Sequence, residues 1–443
     1  MNATENSFGI KVSDAAAQQP TAAAPEKKST SWLKKIGPGL ITGAADDDPS
    51  GIATYSQAGA HFGFNTLWTL FLTYPLMVGI QIISARIGRV SGQGLASNIR
   101  EHYPAWLLHS LVGLLVVANT INIAADIAAM GDAVALLVGG KNDIYALLLG
   151  LLSLVLQILI PYNRYVRVLK WLTLGLLAYI ATAFVVKVPW VDVSKSLVLP
   201  QWSWEPAYIT TLVAIFGTTI SPYLFFWQAS QEVEEQHARG QESLKAAPQN
   251  MPSNFRRIKI DTVIGMGFSN LVAFFIMLTA AVTLHAQGMH EIKSSADAAE
   301  ALRPIAGEMA FWLFSLGIIG TGLLAVPVLA GSAAYAMAGA FEWRSSLEHK
   351  FETARPFYSI IALSTIIGIA LCFTPINPIK ALYWSAVING VISVPIMAVM
   401  MSMASRRAIM GQFIIGPRLK ILGWLCTGAM SLAVLAMLFL PNS

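Results

Sequence analysis

Charge is what this chain has least of. Asp, Glu, Lys and Arg make up 12% of its 443 residues, against 55% hydrophobic. A soluble domain carries about 25% charged residues, so that class is excluded. Cysteine is nearly absent. Cys372 and Cys426 both lie in apolar segments with no metal-spaced or redox-spaced partner, which excludes a disulfide scaffold and leaves small buried hydrophobes. Histidine is sparse, with seven in the chain. An intramembrane enzyme would need a nucleophile–base pair or a His-rich cluster at depth; His109 flanks a span near polar groups, and nothing completes a set. Long polar segments are also missing. Gln231 to Lys259 and Gln287 to Gly307 are the main ones, and neither could hold a domain. Residues 1–31 are polar, Ala-rich and Lys-bearing without an apolar h-region, which predicts a disordered cytosolic tail and no signal peptide.

What is there instead is a series of apolar runs, many longer than the roughly 18 residues that mark a membrane helix. Mean hydropathy is +0.59. The pattern predicts an all-α integral membrane protein with eleven spans, at about 36–60, 64–86, 105–139, 144–160, 166–188, 207–228, 259–284, 308–340, 356–374, 378–402 and 419–440. The third and eighth are long enough to tilt or project. Residues 32–443 thus read as a single transmembrane domain.

Lys and Arg orient it. With the amino terminus inside, one side holds Lys11, Lys27, Lys28, Lys34, Lys35, Arg86, Arg89, Arg100, Arg164, Arg167, Lys170, Arg239, Lys245, Arg256, Arg257, Lys259, Arg344, Lys350, Arg355, Arg406, Arg407, Arg418 and Lys420. These are 23 of the 29 basic residues; the other side has only Lys141, Lys187, Lys195, Lys293, Arg303 and Lys380. The split predicts a cytoplasmic amino terminus and an external carboxyl terminus, in a plasma membrane of the bacterial inner-membrane kind. It also assigns the net charge of +5 to the inner leaflet, with no nucleic acid needed. The oligomeric state is open, and a monomer is compatible.

The first span contains Asp46-Asp47-Asp48-Pro49-Ser50-Gly51. A charge at the bilayer centre costs roughly 2.5–3.5 kcal/mol on insertion scales, and intramembrane acids mark function by default. Pro and Gly break the helix there, and backbone freed at that depth must line a protein cavity. Carboxylate and free carbonyls together make a cation site. The sixth span has a matching interruption, Gly217-Thr218-Thr219-Ile220-Ser221-Pro222-Tyr223, where Pro222 frees acceptors near Thr218 and Thr219. Either the Ser and Thr hydroxyls re-satisfy those carbonyls, or they face a pathway. Each broken span opens a block of five, over about 36–188 and 207–402, with 419–440 as an extra helix. Paired interruptions in two halves point to a transport site at the midplane. No strong residue-level repeat accompanies them.

Asp48-Pro49-Ser50-Gly51-Ile52, Gln57-Ala58-Gly59-Ala60, Phe62-Gly63-Phe64 and Leu67-Trp68 resemble the first two helices of the Nramp divalent-metal transporters. Family helix one carries Asp-Pro-Gly-Asn. Its helix six carries Met-Pro-His, matched by Ser221-Pro222-Tyr223; its helix three carries Thr-Asp-Leu-Ala-Glu, matched by Ala125-Asp126-Ile127-Ala128-Ala129. The resemblance spans about 36–440 and implies a LeuT-like fold of two inverted five-helix repeats. It implies metal ligands at Asp48, the Ala45 carbonyl and the Thr218 carbonyl. The family's Asn falls on Gly51, its Met on Ser221, its His on Tyr223, a second helix-six His on Gln228, and the helix-three Glu on Ala129. Acidic positions after the helix-one motif fall on Ala53 and Tyr55.

Losing the thioether favours hard cations, and the emptied space suits an ion that keeps water. The pattern resembles the divergent Nramp-related magnesium transporters. It implies Mg²⁺ or Mn²⁺ as a partly hydrated substrate, no other cofactor, and absent or weak proton coupling. The membrane potential supplies about 4.6 kcal/mol per divalent ion at 100 mV. Metal candidates are therefore Asp48, Ala45, Thr218, Ser221, Gly51 and Tyr223. Pathway or proton candidates are Asp47, Asp126, Asn122, Gln228 and Asn389, the last beside Gly390. Asp48 is set against a simple helix cap. Asp46 is expected to face elsewhere than Asp47, as neighbours on a helix do. Asn119, Asn122 and Asp126 share one helix face, as a polar pathway or as interhelical glue. Asp132 is a weaker candidate on the same helix. His285 and His290 lie outside the membrane, five apart; without further His or Cys they read as solvated loop residues rather than a metal-collecting site. Two alternatives stay open: a proton-coupled Mn²⁺/Fe²⁺ symporter, and an amino-acid or organic-solute permease of the same fold. The carboxylate at the break argues against the permease.

Overall fold

Proline and glycine set where the helices stop. In a computed structural model the described residues are 42–43, 45–160, 176–347 and 351–440. All belong to one compact unit, Gly37–Ser443. The expected tail, 1–31, and the starts of the first and fifth spans lie outside the described residues. Regular structure among the described residues is entirely helical.

Thr42, Gly43, Ala45 and Asp46 are helical, Asp47 and Asp48 are not, and helix α1 restarts over Pro49–Phe62. Proline suits that first position because its missing N–H would have had no partner there. The next elements are α2 (Trp68–Ser91), α3 (Leu95–His102), α4 (Ala105–Val138), α5 (Asn142–Leu159), α6 (Leu177–Val185) and α7 (Trp190–Val198). The second interruption separates α8 (Pro206–Thr219) from α9 (Pro222–Ala238), again with proline opening the second half. There follow α10 (Met251–Thr283), α11 (Ser295–Glu300), α12 (Arg303–Ala306), α13 (Ala310–Phe341), α14 (Arg355–Leu371), α15 (Pro378–Ser405), α16 (Arg407–Met410) and α17 (Pro417–Phe439). Eight helical segments of the described residues are long and apolar enough to cross a membrane, and α14 is a shorter apolar helix. At 34 residues, α4 is about 51 Å long and outruns a bilayer core of about 30 Å.

One sequence expectation changes here. Gln231 to Lys259 is not one polar loop: α9 runs on to Ala238 and α10 starts at Met251. Their charges pair instead of facing water, with Arg257 at 2.5 Å from Glu232 and 2.8 Å from Glu235. Within Gln287 to Gly307, Ser294 with Asp297 forms a capping box that starts α11.

The interrupted helices lie at the centre. α1 packs against α10, α15 and α8, and α4 is bordered by α13, α5, α15 and α14. Small residues permit the closest crossings. A Cβ at Gly59 would stand 2.2 Å from the Met277 carbonyl oxygen, and one at Gly217 would stand 2.0 Å from that of Ala386. On the periphery, α5 exposes Leu148, Leu151, Leu152 and Val155, and α17 exposes Leu425, Leu432, Leu435 and Leu438. Such rows belong against hydrocarbon.

Candidate metal site

Asp48 uses its two carboxylate oxygens differently. Oδ1 caps α1, accepting from the Gly51 amide at 2.8 Å and the Ser50 hydroxyl at 2.6 Å. The cap considered from sequence is therefore real, and it occupies only half of the group. Oδ2 points into the bundle, 3.1 Å from Asn122 Nδ2 and 3.5 Å from the Tyr223 hydroxyl. That hydroxyl is also 3.1 Å from the Ala45 carbonyl oxygen. Asp48, Ala45 and Tyr223 thus converge, and Asn122 joins them directly. Asn122 Oδ1 in turn accepts from Ser385 of α15 at 2.8 Å.

The second break faces the first. A Cβ added at Gly51 would lie 3.1 Å from Thr218 Oγ1 and 3.4 Å from the Tyr55 ring. The Thr218 hydroxyl and the Tyr55 ring thus crowd the position, and the emptied space expected from the missing amide is not seen beside Gly51. The Ser221 hydroxyl donates back to the carbonyls of Gly217 (2.8 Å) and Thr218 (2.9 Å), and Thr219 Oγ1 bonds the Ile215 carbonyl at 2.7 Å. The hydroxyls have thus taken the re-satisfying role that the proline break makes available. Ser221 keeps its oxygen lone pairs, so this does not remove it from the site.

Asp46 and Asp47 do not diverge as expected. The helix ends at Asp46, so the usual angular offset between neighbours no longer applies. One hydroxyl, Ser269 of α10, is 2.6 Å from Asp46 Oδ2 and 3.0 Å from Asp47 Oδ1. Asp126 lies one turn beyond Asn122, fully buried, and neither carboxylate oxygen has a hydrogen-bond partner. It is within Coulombic reach of Asp48. Asn119, on the same face of α4, donates its Nδ2 to the Leu329 carbonyl of α13 at 2.8 Å, as interhelical glue. Asp132 is half-buried further along α4. Asn389 is buried with both amide atoms unpartnered, next to Gly390, whose backbone meets Gly217. Gln228 sits away from Asp48, bonded to Thr42 and 3.5 Å from Glu232.

The four carboxylates are 0–3% exposed. Among the described residues no Lys or Arg forms an ion pair with any of them. A buried carboxylate without a counter-charge takes up a cation or a proton. Also among the described residues, no three His, Cys, Asp or Glu side chains are grouped to hold a metal. A cation here would draw on carbonyl, amide and hydroxyl oxygens or water. Ser269 and Ser385 were not anticipated; their signal was a hydroxyl on an otherwise apolar helix face, which many structural serines share.

A helical membrane bundle with two facing interrupted helices around buried acids defines the LeuT-like class of transporter folds. Solved structures agree on the fold. The manganese transporter of Eremococcus coleocola, in complex with an aromatic bis-isothiourea compound, matches with a TM-score of 0.71 at 18% identity, over 96% of this chain and 91% of that one. MhsT in complex with L-phenylalanine matches at 0.59 and 13% identity, over 90% and 96%. Mhp1, a nucleobase-cation-symport-1 family transporter, matches at 0.52 and 11%, over 91% and 92%. The chain belongs to the Nramp family: residues 39–440 match its model, described as natural resistance-associated macrophage protein-like.

Proposed function

We propose that this protein carries divalent metal ions, chiefly Mg²⁺ and Mn²⁺, across the membrane by alternating access, with absent or weak proton coupling. The observation that carries this reading is the group of four buried carboxylates with no basic partner among the described residues. Family membership and the likeness to a manganese transporter support the substrate class. Asp48 Oδ2 is the principal ligand, joined by the Ala45 and Thr218 carbonyls. Turning the Asn122 amide over would bring its oxygen to the ion, returning from α4 the amide oxygen that Gly51 lacks. All these donors are hard oxygens, which favours Mg²⁺ and Mn²⁺ over softer metals.

Access alternates between two cavities at opposite ends of the α8–α9 pair. One of about 480 Å³ is bounded by the end of α1 and the starts of α8 and α15. The other, about 500 Å³, lies among the ends of α2, α9 and α13. None of the four acids lines either cavity. The first is the external one in the orientation that the basic residues favour.

Asp126 supports the second reading, a proton-coupled Mn²⁺/Fe²⁺ symporter, because an unpartnered buried carboxyl is a ready proton carrier. Proteoliposomes holding a metal reporter and a pH reporter decide between the two. Mg²⁺ or Mn²⁺ uptake driven by an inside-negative potential, with little acidification and lost in Asp48→Ala, is expected. Obligatory proton flux would overturn the uncoupled reading, and parent-like uptake by Asp48→Ala would overturn the site.

A further inference from the structure

The loop after α10 holds two histidines that the transport site does not use. The turn His285–Gln287 leads into Gly288, whose φ of 79° suits a glycine and reverses the chain. The returning strand brings His290 back over His285, with ring centroids 4.8 Å apart. Their Nδ1 atoms are 3.2 Å apart, and both face the Ala60 carbonyl oxygen near the end of α1, at 2.8 Å and 3.4 Å. The two loop histidines are solvated as expected, His290 exposed and His285 half-buried, but they are held together instead of apart. Gln57 fixes the strand on both sides, donating to the His290 carbonyl (3.2 Å) and accepting from the Ile292 amide (3.0 Å). Gly63 leaves room for the other ring: a Cβ there would be 3.1 Å from His285 Cδ2.

As Nδ1–H tautomers both rings can donate to the two lone pairs of the carbonyl; as Nε2–H tautomers they join it in presenting three lone-pair donors to one point. The second arrangement suits a metal ion. Two imidazole nitrogens on one tetrahedral zinc ion, each at about 2.0–2.1 Å, stand about 3.3 Å apart. The three donor atoms here leave a point about 2.1 Å from each of them, slightly out of their plane. His290 is exposed, so water can complete the coordination.

We propose that His285, His290 and the Ala60 carbonyl form a second metal site, for Zn²⁺ and related imidazole-seeking ions such as Cu²⁺ and Ni²⁺. Imidazole discriminates against Mg²⁺, so the proposed cargo does not compete. Gln57 and the neighbouring Glu291 line the cavity at this end of α1, so the site stands at its mouth. A bound ion ties the loop to the half-helix that carries Asp48, and it slows transport from that face.

The test uses the full-length protein in nanodiscs, with Zn²⁺ binding measured by calorimetry and Cu²⁺ by electron paramagnetic resonance. One Zn²⁺ per chain and nitrogen hyperfine coupling are expected, both lost in His285→Gln/His290→Gln. The same signals are expected to persist in Asp48→Ala, so failure of the transport site and failure of this one are separable. Zn²⁺ should inhibit Mn²⁺ flux in the parent but not in the double variant. Unchanged Zn²⁺ binding by a double variant that elutes like the parent, or a Cu²⁺ spectrum without nitrogen coupling, would overturn the proposal. Should the double variant misfold, the parent Cu²⁺ spectrum alone decides.

Discussion

At the scale of residues, the division of labour within Asp48 makes its chemistry separable from its structural role. Asn can cap a helix as Asp does, whereas Ala cannot, and losing a cap costs about 1 kcal/mol. Asp48→Asn is therefore expected to keep near-parent thermal stability and lose metal flux; Asp48→Ala should lose both. A flux assay beside a melting curve checks the pair, and an active Asp48→Asn would show that the charge is dispensable. Asn122→Ala strips Asp48 Oδ2 of its amide partner and leaves the Ser385 hydroxyl on the Leu382 carbonyl. A weaker apparent metal affinity is expected, read as a raised KM for Mg²⁺ or Mn²⁺, with the protein still folded. Asp48 stood out in the sequence because an acid, a proline and a glycine interrupt an apolar run; the helix cap is observed, and the cation role is the proposal. Asn122 was legible only as a polar face on α4. That it touches Asp48, and that Ser269 joins Asp46 to Asp47, depends on which helix lies opposite, and no local pattern in the chain encodes that.

At the scale of elements, the two breaks were readable because Pro49 and Pro222 remove hydrogen bonds wherever they stand. The continuation of α9 and α10 was not readable. Glu232, Glu235 and Arg257 look like a solvated run until the second helix supplies the partner charge. Crossings are equally silent in sequence, because a glycine needed for close approach is spelled like any other. The structure ranks them. At Gly217 an added methyl meets the Ala386 backbone at 2.0 Å, and at Gly51 it first meets side chains, the Thr218 hydroxyl at 3.1 Å and the Tyr55 ring at 3.4 Å. Overpacking typically costs about 1–3 kcal/mol, and a backbone obstacle cannot rotate away. Gly217→Ala is expected to lower the melting temperature clearly and Gly51→Ala little. The reverse order in differential scanning fluorimetry would mean that α8 and α15 are not packed as described.

At the scale of the whole molecule, the far end of α9 is secured by charge. Glu232 has a fully buried side chain and depends on Arg257 at 2.5 Å, while Arg89 reaches Asn254 at 2.7 Å beside it. Removing one partner of a buried pair costs about 3–5 kcal/mol. Arg257→Ala should therefore melt early, and its cavity at this end should react faster with thiol reagents at a cysteine placed at Ser97; unchanged labelling would disconnect the ion cluster from access. The tyrosine at the second break bears on the return stroke of the cycle. The Tyr223 hydroxyl lies against both the Ala45 carbonyl and Asp48. A donor so placed would satisfy those oxygens in the ion-free form, which a one-way uniporter must pass through on every turnover and an exchanger never does. Tyr223→Phe is expected to depress net uptake into metal-free vesicles while sparing metal-for-metal exchange, so that one hydroxyl decides whether the protein accumulates its ion or merely trades it.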